Sequence, residues 1–466
     1  MIPAQEVVER ALAASRADET LVLVTDESEA ALRWAGNSMT TNGVSSARRW
    51  TVVSILRDGD DARVGSVGST SVDPDEIEAV VRAAEIAAAS AEPATDTMPL
   101  IAGLDPAPDW ADGPGGTGID VFASLATDLA VGFDGADRLY GFTHHEVDTL
   151  WLGSSSGLRR RFVQRTGSVE INGKRGTGTT GTAGTTGTEV ASAWAGAGTR
   201  DFTDVDVPGL LAELDRRLDW AGTRFDLPAG RYETLMPPST VADLMIYLAW
   251  TMEGRGAEEG RTALSRPGGT RIGERLTDIP LTLTSDPGAA GLDYAPFVAT
   301  PASSDAISVF DNGMDARRVD WISDGVIEAL AYPRAAAREF DATVTVPGDN
   351  LLLTGGSAAT IDDMVARTEH GLLLTTLWYI REVDPATLLL TGLTRDGVYL
   401  VRDGQVAGAV NNFRFNESPL DLLRRATEAG ATERTLPREW KDWFTRAAMP
   451  PLRIPDFHMS SVSQAT

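Results

Sequence analysis

The sequence predicts an α+β protein, with an N-terminal α/β domain, a strand-rich middle segment and a mainly antiparallel C-terminal β domain that carries a few helices. Three observations carry this prediction. Two stretches within the first ninety residues place apolar side chains at helical spacing, and short β-branched runs lie between them. Pro and Gly then crowd residues 93–118, where regular structure is expected to stop. Beyond Ile272, Asp-Gly dipeptides recur between alternating apolar runs, which is the turn chemistry of antiparallel hairpins.

Residues 3–17 form the first predicted helix, because Val7, Val8, Ala11 and Leu12 fall in one stripe. Strands are expected at Leu21–Thr25, Ala31–Ala35 and Trp50–Leu56, and Asp58-Gly59 turns the chain into another at Ala62–Val67. A helix to about Ala91 starts with Asp73 as cap, Pro74 at the first helical position and Glu76 two residues later. These elements define a unit over residues 1–92. Residues 93–118, with Asp105-Pro106-Ala107-Pro108 and Gly113-Pro114-Gly115-Gly116, read as a linker or a long surface connection.

The middle segment, residues 119–229, opens on a helix over Ile119–Ala130 and continues as strands within Gly135–Arg165. Asn172-Gly173, between Val169-Glu170-Ile171 and Lys174-Arg175, predicts a two-residue hairpin. Gly176 to Gly198 is dominated by Gly, Thr and Ala and is expected to be a loop or a pair of Thr-rich strands. It lacks the Gly-Lys-Ser/Thr ending of a phosphate loop. Val207–Trp220 is the next helix.

A β-rich domain is expected over residues 230–449. Gly230–Met236 is a strand that Pro237-Pro238 stops, and Val241, Leu244, Met245 and Leu248 then follow an i, i+3, i+4, i+7 pattern. Hairpins are predicted at Asp324-Gly325 and at Asp403-Gly404, and Thr360 caps a helix whose first turn holds Asp362 and Asp363. Residues 450–466, after Pro450-Pro451, are expected to be a tail over the surface.

A net charge of -26 argues against nucleic acid or an anionic membrane as the main partner, since both need a basic footprint. No apolar run approaches the ~18–20 residues that span a bilayer, and the N-terminus resembles no secretory signal. The expected compartment is the cytoplasm. With no Cys, the chain has no disulfides and no thiolate chemistry.

The four His lie at positions 144, 145, 370 and 458. His144, His145, Glu146 and Asp148 form a ligand-like group, but neighbours on a strand point to opposite faces, so both His cannot hold one ion. His370 reads as a helix-end residue. Glu253, Glu258 and Glu259 sit among Arg255 and Arg261, a mixed-charge loop rather than an acid–base pair. Arg159-Arg160-Arg161 reads as a solvated strand end, with an acidic partner surface as the alternative. Asn411, Asn412 and Arg414 read first as a polar surface hairpin, with binding of peptide backbone groups or a terminal carboxylate as the alternative that makes them the peptide-binding candidates.

Met245-Ile246-Tyr247-Leu248-Ala249-Trp250 lies between Pro237-Pro238-Ser239-Thr240 and Met252-Glu253-Gly254-Arg255. Behind it, in order, come Arg271–Leu276, Trp321–Ile327, Val346–Asn350, Thr368–Leu372, Val398–Gln405 and Asn411–Asn416. In this frame the chain resembles the TldD/PmbA (TldD/TldE) peptidase family. The resemblance places the His-Glu-x-x-x-His motif of the catalytic members on Met245, Ile246 and Trp250, none of which is a zinc ligand or a general base. Met245 and Trp250 read instead as packing residues.

What the resemblance implies is a TldE/PmbA-like subunit without catalytic residues, metal or other cofactor of its own. It would pair with a TldD-like subunit that carries zinc and the catalytic Glu, and the two would enclose an unfolded peptide. Strand addition to a sheet edge would hold such a peptide with little regard to sequence. A homodimer is possible for the chain alone. The alternatives are a stand-alone peptide-binding or scaffold protein and a hydrolase with a relocated site.

Overall fold

The computed structural model describes residues 2–71, 73–103, 105–135, 137–177 and 189–463. The N-terminal half is built on one six-stranded antiparallel sheet of long strands. These are β1 (Glu19–Ala35), β2 (Met39–Asp58), β3 (Asp61–Ser69), β4 (Arg138–Ser154), β5 (Arg159–Thr177) and β6 (Glu189–Thr199), in the order β3-β2-β1-β4-β5-β6. Because β1 pairs with β4 from Leu21↔Ser154 to Ala35↔Tyr140, residues 1–92 and 119–229 share this sheet rather than forming separate units. Residues 93–118 cross it as irregular backbone, with Leu100 buried and the Trp110 carbonyl accepting from Gln5 Nε2 at 2.8 Å.

Side-chain alternation gives the sheet two different faces. On one, Val22, Val24, Trp50, Val52 and Trp151 pack beneath α1 (Ala4–Ala14) and α2 (Ile77–Ser90). The same face continues through Leu32, Trp34, Leu139, Val169 and Ile171 beneath α3 (Ala123–Phe133) and α4 (Val207–Trp220). On the other face, Leu21, Leu23, Val53, Ile55 and Leu152 meet Phe297, Val309 and Phe310 of the C-terminal half.

Two expectations about this sheet are corrected. The strands expected at Leu21–Thr25 and Ala31–Ala35 are parts of β1. The polar run between them stays extended because buried Asp26 faces buried Arg48 across the ladder, with Arg48 Nε to Oδ1 at 2.5 Å and Nη2 to Oδ2 at 2.6 Å. Asn172-Gly173 is no turn but lies mid-strand in β5, opposite Tyr140 and Leu139. Gly173 serves packing there: a Cβ would sit 2.9 Å from a Leu218 methyl, so its absence lets α4 lie on the sheet. The edges of the Gly/Thr-rich segment belong to β5 and β6, and residues 178–188 of that segment lie outside the described residues.

The C-terminal half begins with β7 (Arg224–Phe225), β8 (Gly230–Met236) and α5 (Pro238–Thr251). β8 lies inside a large mixed sheet, between the strands Leu452–Val462 and His370–Leu374. A smaller sheet contains Thr282–Ser285, Val319–Ser323, Leu351–Thr354 and Ala447–Met449, and α5 shares one apolar core with both sheets. Both Asp-Gly hairpins form as expected, with φ of 47° and 78° at Asp324 and Gly325, and 48° and 77° at Asp403 and Gly404. Thr360 caps its helix in a capping box with Asp363.

The expected tail is instead a strand, Leu452–Val462, that buries Leu452, Ile454, Phe457 and Met459. His370 is not at a helix end; it opens the strand His370–Leu374, four residues beyond the helix Ile361–Ala366. Among the described residues no helix is long and apolar enough to cross a membrane.

Candidate functional site

α5 is buried over most of its surface. Val241, Ala242, Leu244, Met245, Ile246 and Leu248 all enter the core, so Met245 and Ile246 are packing residues. Trp250 differs from the expectation of a packing residue: it is 48% exposed, near the end of the helix. Its ring meets Trp440 edge-on at 4.9 Å and Tyr247 at 5.5 Å, so one side of the helix carries a surface aromatic cluster.

The sequence reading missed the carboxyl of this helix. Asp243 is fully buried; its Oδ1 accepts the Glu439 N–H at 2.9 Å, its backbone carbonyl accepts Trp440 Nε1 at 3.2 Å, and its Oδ2 has no partner. Desolvation therefore holds this carboxyl well above the usual range, against the opposing pull of that N–H. Glu439 is also raised by burial, and its two oxygens accept Tyr379 N–H at 3.2 Å and Ile380 N–H at 3.1 Å. Both carboxyls thus fasten the segment around residue 439 to α5 and to the neighbouring strand Leu377–Asp384. Met245, Ile246 and Trp250 do not form a zinc-binding set.

Residues 438–446 lie between the two halves. Lys441 Nζ is 3.2 Å from Glu170 on β5, Arg446 Nη1 donates to Thr166 Oγ1 at 2.7 Å, and Arg438 reaches Trp194 on β6. A cavity of about 690 Å³ opens beside Arg438, walled by Tyr140, Asn172 and Lys174 of the N-terminal sheet and by Trp378, Asn411 and Asn412 of the C-terminal half. The peptide-binding candidates are therefore split. Asn411 and Asn412 line the cavity, although Asn411 Oδ1 is also engaged by the Leu227 N–H at 2.7 Å. Arg414 lies on the strand Phe413–Glu417, exposed and outside the cavity wall, with Nη1 3.5 Å from Thr391 Oγ1.

The other candidate groups have structural partners. His145 is buried between Thr117 Oγ1 at 2.6 Å and the Arg200 carbonyl at 2.9 Å, and burial lowers its proton affinity. His144 points to the opposite face, with Nδ1 3.3 Å from Ser168 Oγ. Glu27, Glu146 and Asp148 bring one oxygen each within 4.8 Å of the others, the one metal-sized group among the described residues. Arg49 pairs with Glu27 and lies 3.9 Å from Asp148, so the group is a cross-strand charge network. Burial, and then the Glu146 charge, push Asp148 up to about 6.

Arg159, Arg160 and Arg161 pair with Glu9, Asp315 and Asp109 of the same chain, so this basic run already has its acidic surface. Around Glu253 the charges are mixed as expected, on a short helix rather than a loop. Arg255 pairs with Glu259 and Glu339, Arg261 pairs with Glu259 and Asp305, and Tyr332 donates to Glu258 at 2.9 Å.

Residues 229–461, half of the chain, match the family model described as the PmbA/TldA metallopeptidase C-terminal domain. No curated protein sequence matches the chain. Solved structures share its fold at low identity. TldE from Thermococcus kodakarensis is 16% identical with a TM-score of 0.75, over 97% of this chain and 99% of that one. A candidate modulator of DNA gyrase from Bacteroides thetaiotaomicron is 16% identical with a TM-score of 0.75, over 98% of both chains. Another, from Thermotoga maritima, is 13% identical with a TM-score of 0.74, over 97% of this chain and 99% of that one. From the matched domain, and the fold that extends it over nearly the whole length, the chain belongs to the TldD/PmbA family.

Proposed function

We propose that this chain is the non-catalytic, TldE/PmbA-like subunit of a heterodimeric zinc metallopeptidase that degrades or processes unfolded peptides. The observation that carries the proposal is the packing of α5: Met245 and Ile246 are core residues, and the helix's one carboxyl, on Asp243, is buried against Glu439. A helix so occupied has no ligand to give a metal and no base to activate water. Zinc and the general base are accordingly assigned to a TldD-like partner, and this chain supplies walls of the peptide chamber. The likeness in fold to the Thermococcus TldE supports the choice of family for this reading. The net charge of -26 gives no support to direct contact with DNA, the subject of the gyrase descriptions.

The test is reconstitution. The purified chain is expected to leave an unfolded polypeptide intact, to form a stable complex with a family member bearing His-Glu-x-x-x-His, and to support hydrolysis only in that mixture. Stoichiometric zinc together with peptidase activity in the isolated chain would overturn the proposal. Peptide binding without any complex would move the assignment to a stand-alone binding protein.

A further inference from the structure

The cavity beside residues 438–446 has a charge opposite to that of the molecule. Its wall carries four cationic side chains in a chain of net charge -26; Arg395 lies 3.8 Å from the wall's one carboxylate, Asp396, and Arg224 is engaged elsewhere, which leaves Lys174 and Arg438. Arg438 is the unusual member. Its guanidinium lies between two indoles, 5.6 Å from the Trp194 ring and 5.3 Å from the Trp378 ring. Among the described residues it makes no hydrogen bond and no ion pair, and its Nη1 is shielded from water. Of the carboxylates whose charge acts on it, Asp396 and Glu170 are the strongest, and neither reaches ion-pair distance. Glu170 is already held by Lys441 and by Trp194 Nε1 at 3.2 Å. Trp378 Nε1 is a second buried donor without a partner. Lys174 lies 5.2 Å from the Tyr140 ring and forms no ion pair among the described residues.

Arginine keeps its charge on burial. A desolvated cation without an anion is costly, and the orphaned indole N–H of Trp378 beside it adds to that cost. The indoles supply cation–π attraction and fix the guanidinium plane, yet they leave its in-plane N–H groups unused. A planar acceptor with two oxygens would satisfy this geometry bidentately, as carboxylates do with arginine. Lys174 would add a second cation from the facing sheet. A cavity of about 690 Å³ has room for the last few residues of a chain but not for a folded domain.

We propose that this cavity binds the C-terminal carboxylate of an extended peptide, with Arg438 as the primary anchor and Lys174 as the second cation. The inference rests on the peptide-chamber reading and adds polarity to it: the peptide's C-terminal end is held here, at the seam between the two halves.

The test uses the full chain and tetra-alanine labelled at its N-terminus with fluorescein, read by fluorescence anisotropy. The free acid is expected to bind about tenfold or more tightly than the C-terminal amide. Arg438→Met, which keeps the bulk between the indoles, is expected to remove most of that preference, Arg438→Lys to keep part of it, and Lys174→Met to weaken it while leaving the thermal melt unchanged. Equal binding of acid and amide, or an unchanged preference in both methionine variants, would overturn the inference. So would competition by inorganic phosphate with no binding of the peptide acid, which would mark a small-anion site. A peptide amide with an internal Glu that binds as well as the free acid would assign the site to acidic side chains and overturn the C-terminal assignment. Partner-dependent hydrolysis is measured in parallel: if it persists while the acid preference is absent, this inference fails alone, and if it is absent, the subunit reading fails.

Discussion

Asp243 shows what a single residue contributes to α5. Its folded proton affinity is raised above the unfolded value near 4. The folded state therefore binds the proton more tightly, and stability is highest below pH ~4 and declines as pH rises toward the folded pKa. Asp243→Asn keeps an acceptor for the Glu439 N–H and removes the titration. Its melting temperature is expected to equal or exceed that of the parent at pH 7 and to vary less across pH 4–8. Asp243→Leu orphans that N–H and is expected to cost about 1–3 kcal/mol in urea unfolding. The same sign holds for Asp148, raised to about 6: the stability advantage of Asp148→Asn should grow from pH ~4 to ~6 and level off above, and a constant advantage would contradict it. Met245 could be read from helical spacing alone. Asp243 could not, because the group that accounts for its burial is 196 residues away.

At the scale of elements, the strand Leu452–Val462 holds the two parts of the C-terminal sheet together. It joins β8 to the strand Phe413–Glu417, and Phe457 is fully buried within it. Phe457→Ala is expected to cost about 3–5 kcal/mol in chemical unfolding, where a surface tail would lose almost nothing. Gly173→Val forces a side chain against Leu218 and should cost about 1–3 kcal/mol through overpacking. Elements with local causes were legible: the Asp-Gly hairpins need a left-handed turn that their own residues favour, and Thr360 caps through a partner three residues on. Those misread have distant causes. Pro450-Pro451 looked like an ending because the strand beyond it pairs with residues distant in the chain, those on β8 more than 200 residues earlier and those on Phe413–Glu417 more than 40. Asn172-Gly173 looked like a turn because α4, which needs the missing Cβ, comes forty residues later.

For the whole molecule, the alternation along six long strands gives one face to four helices and the other to the C-terminal half. That second face makes the seam where residues 438–446, the cationic cavity and α5 come together. The family likeness was legible in the sequence because its turn motifs are local. The seam was not, since it joins strands of the N-terminal sheet to residues from Phe297 onward in the C-terminal half. The central claim is that this chain completes a protease without doing its chemistry. The most direct measurement is hydrolysis of an unfolded polypeptide by a complex of this chain, unaltered, with a motif-bearing partner whose catalytic Glu is changed to Gln. The account predicts an intact complex with no hydrolysis above the no-enzyme background, whereas cleavage that persists in that complex and tracks the concentration of this chain would contradict it.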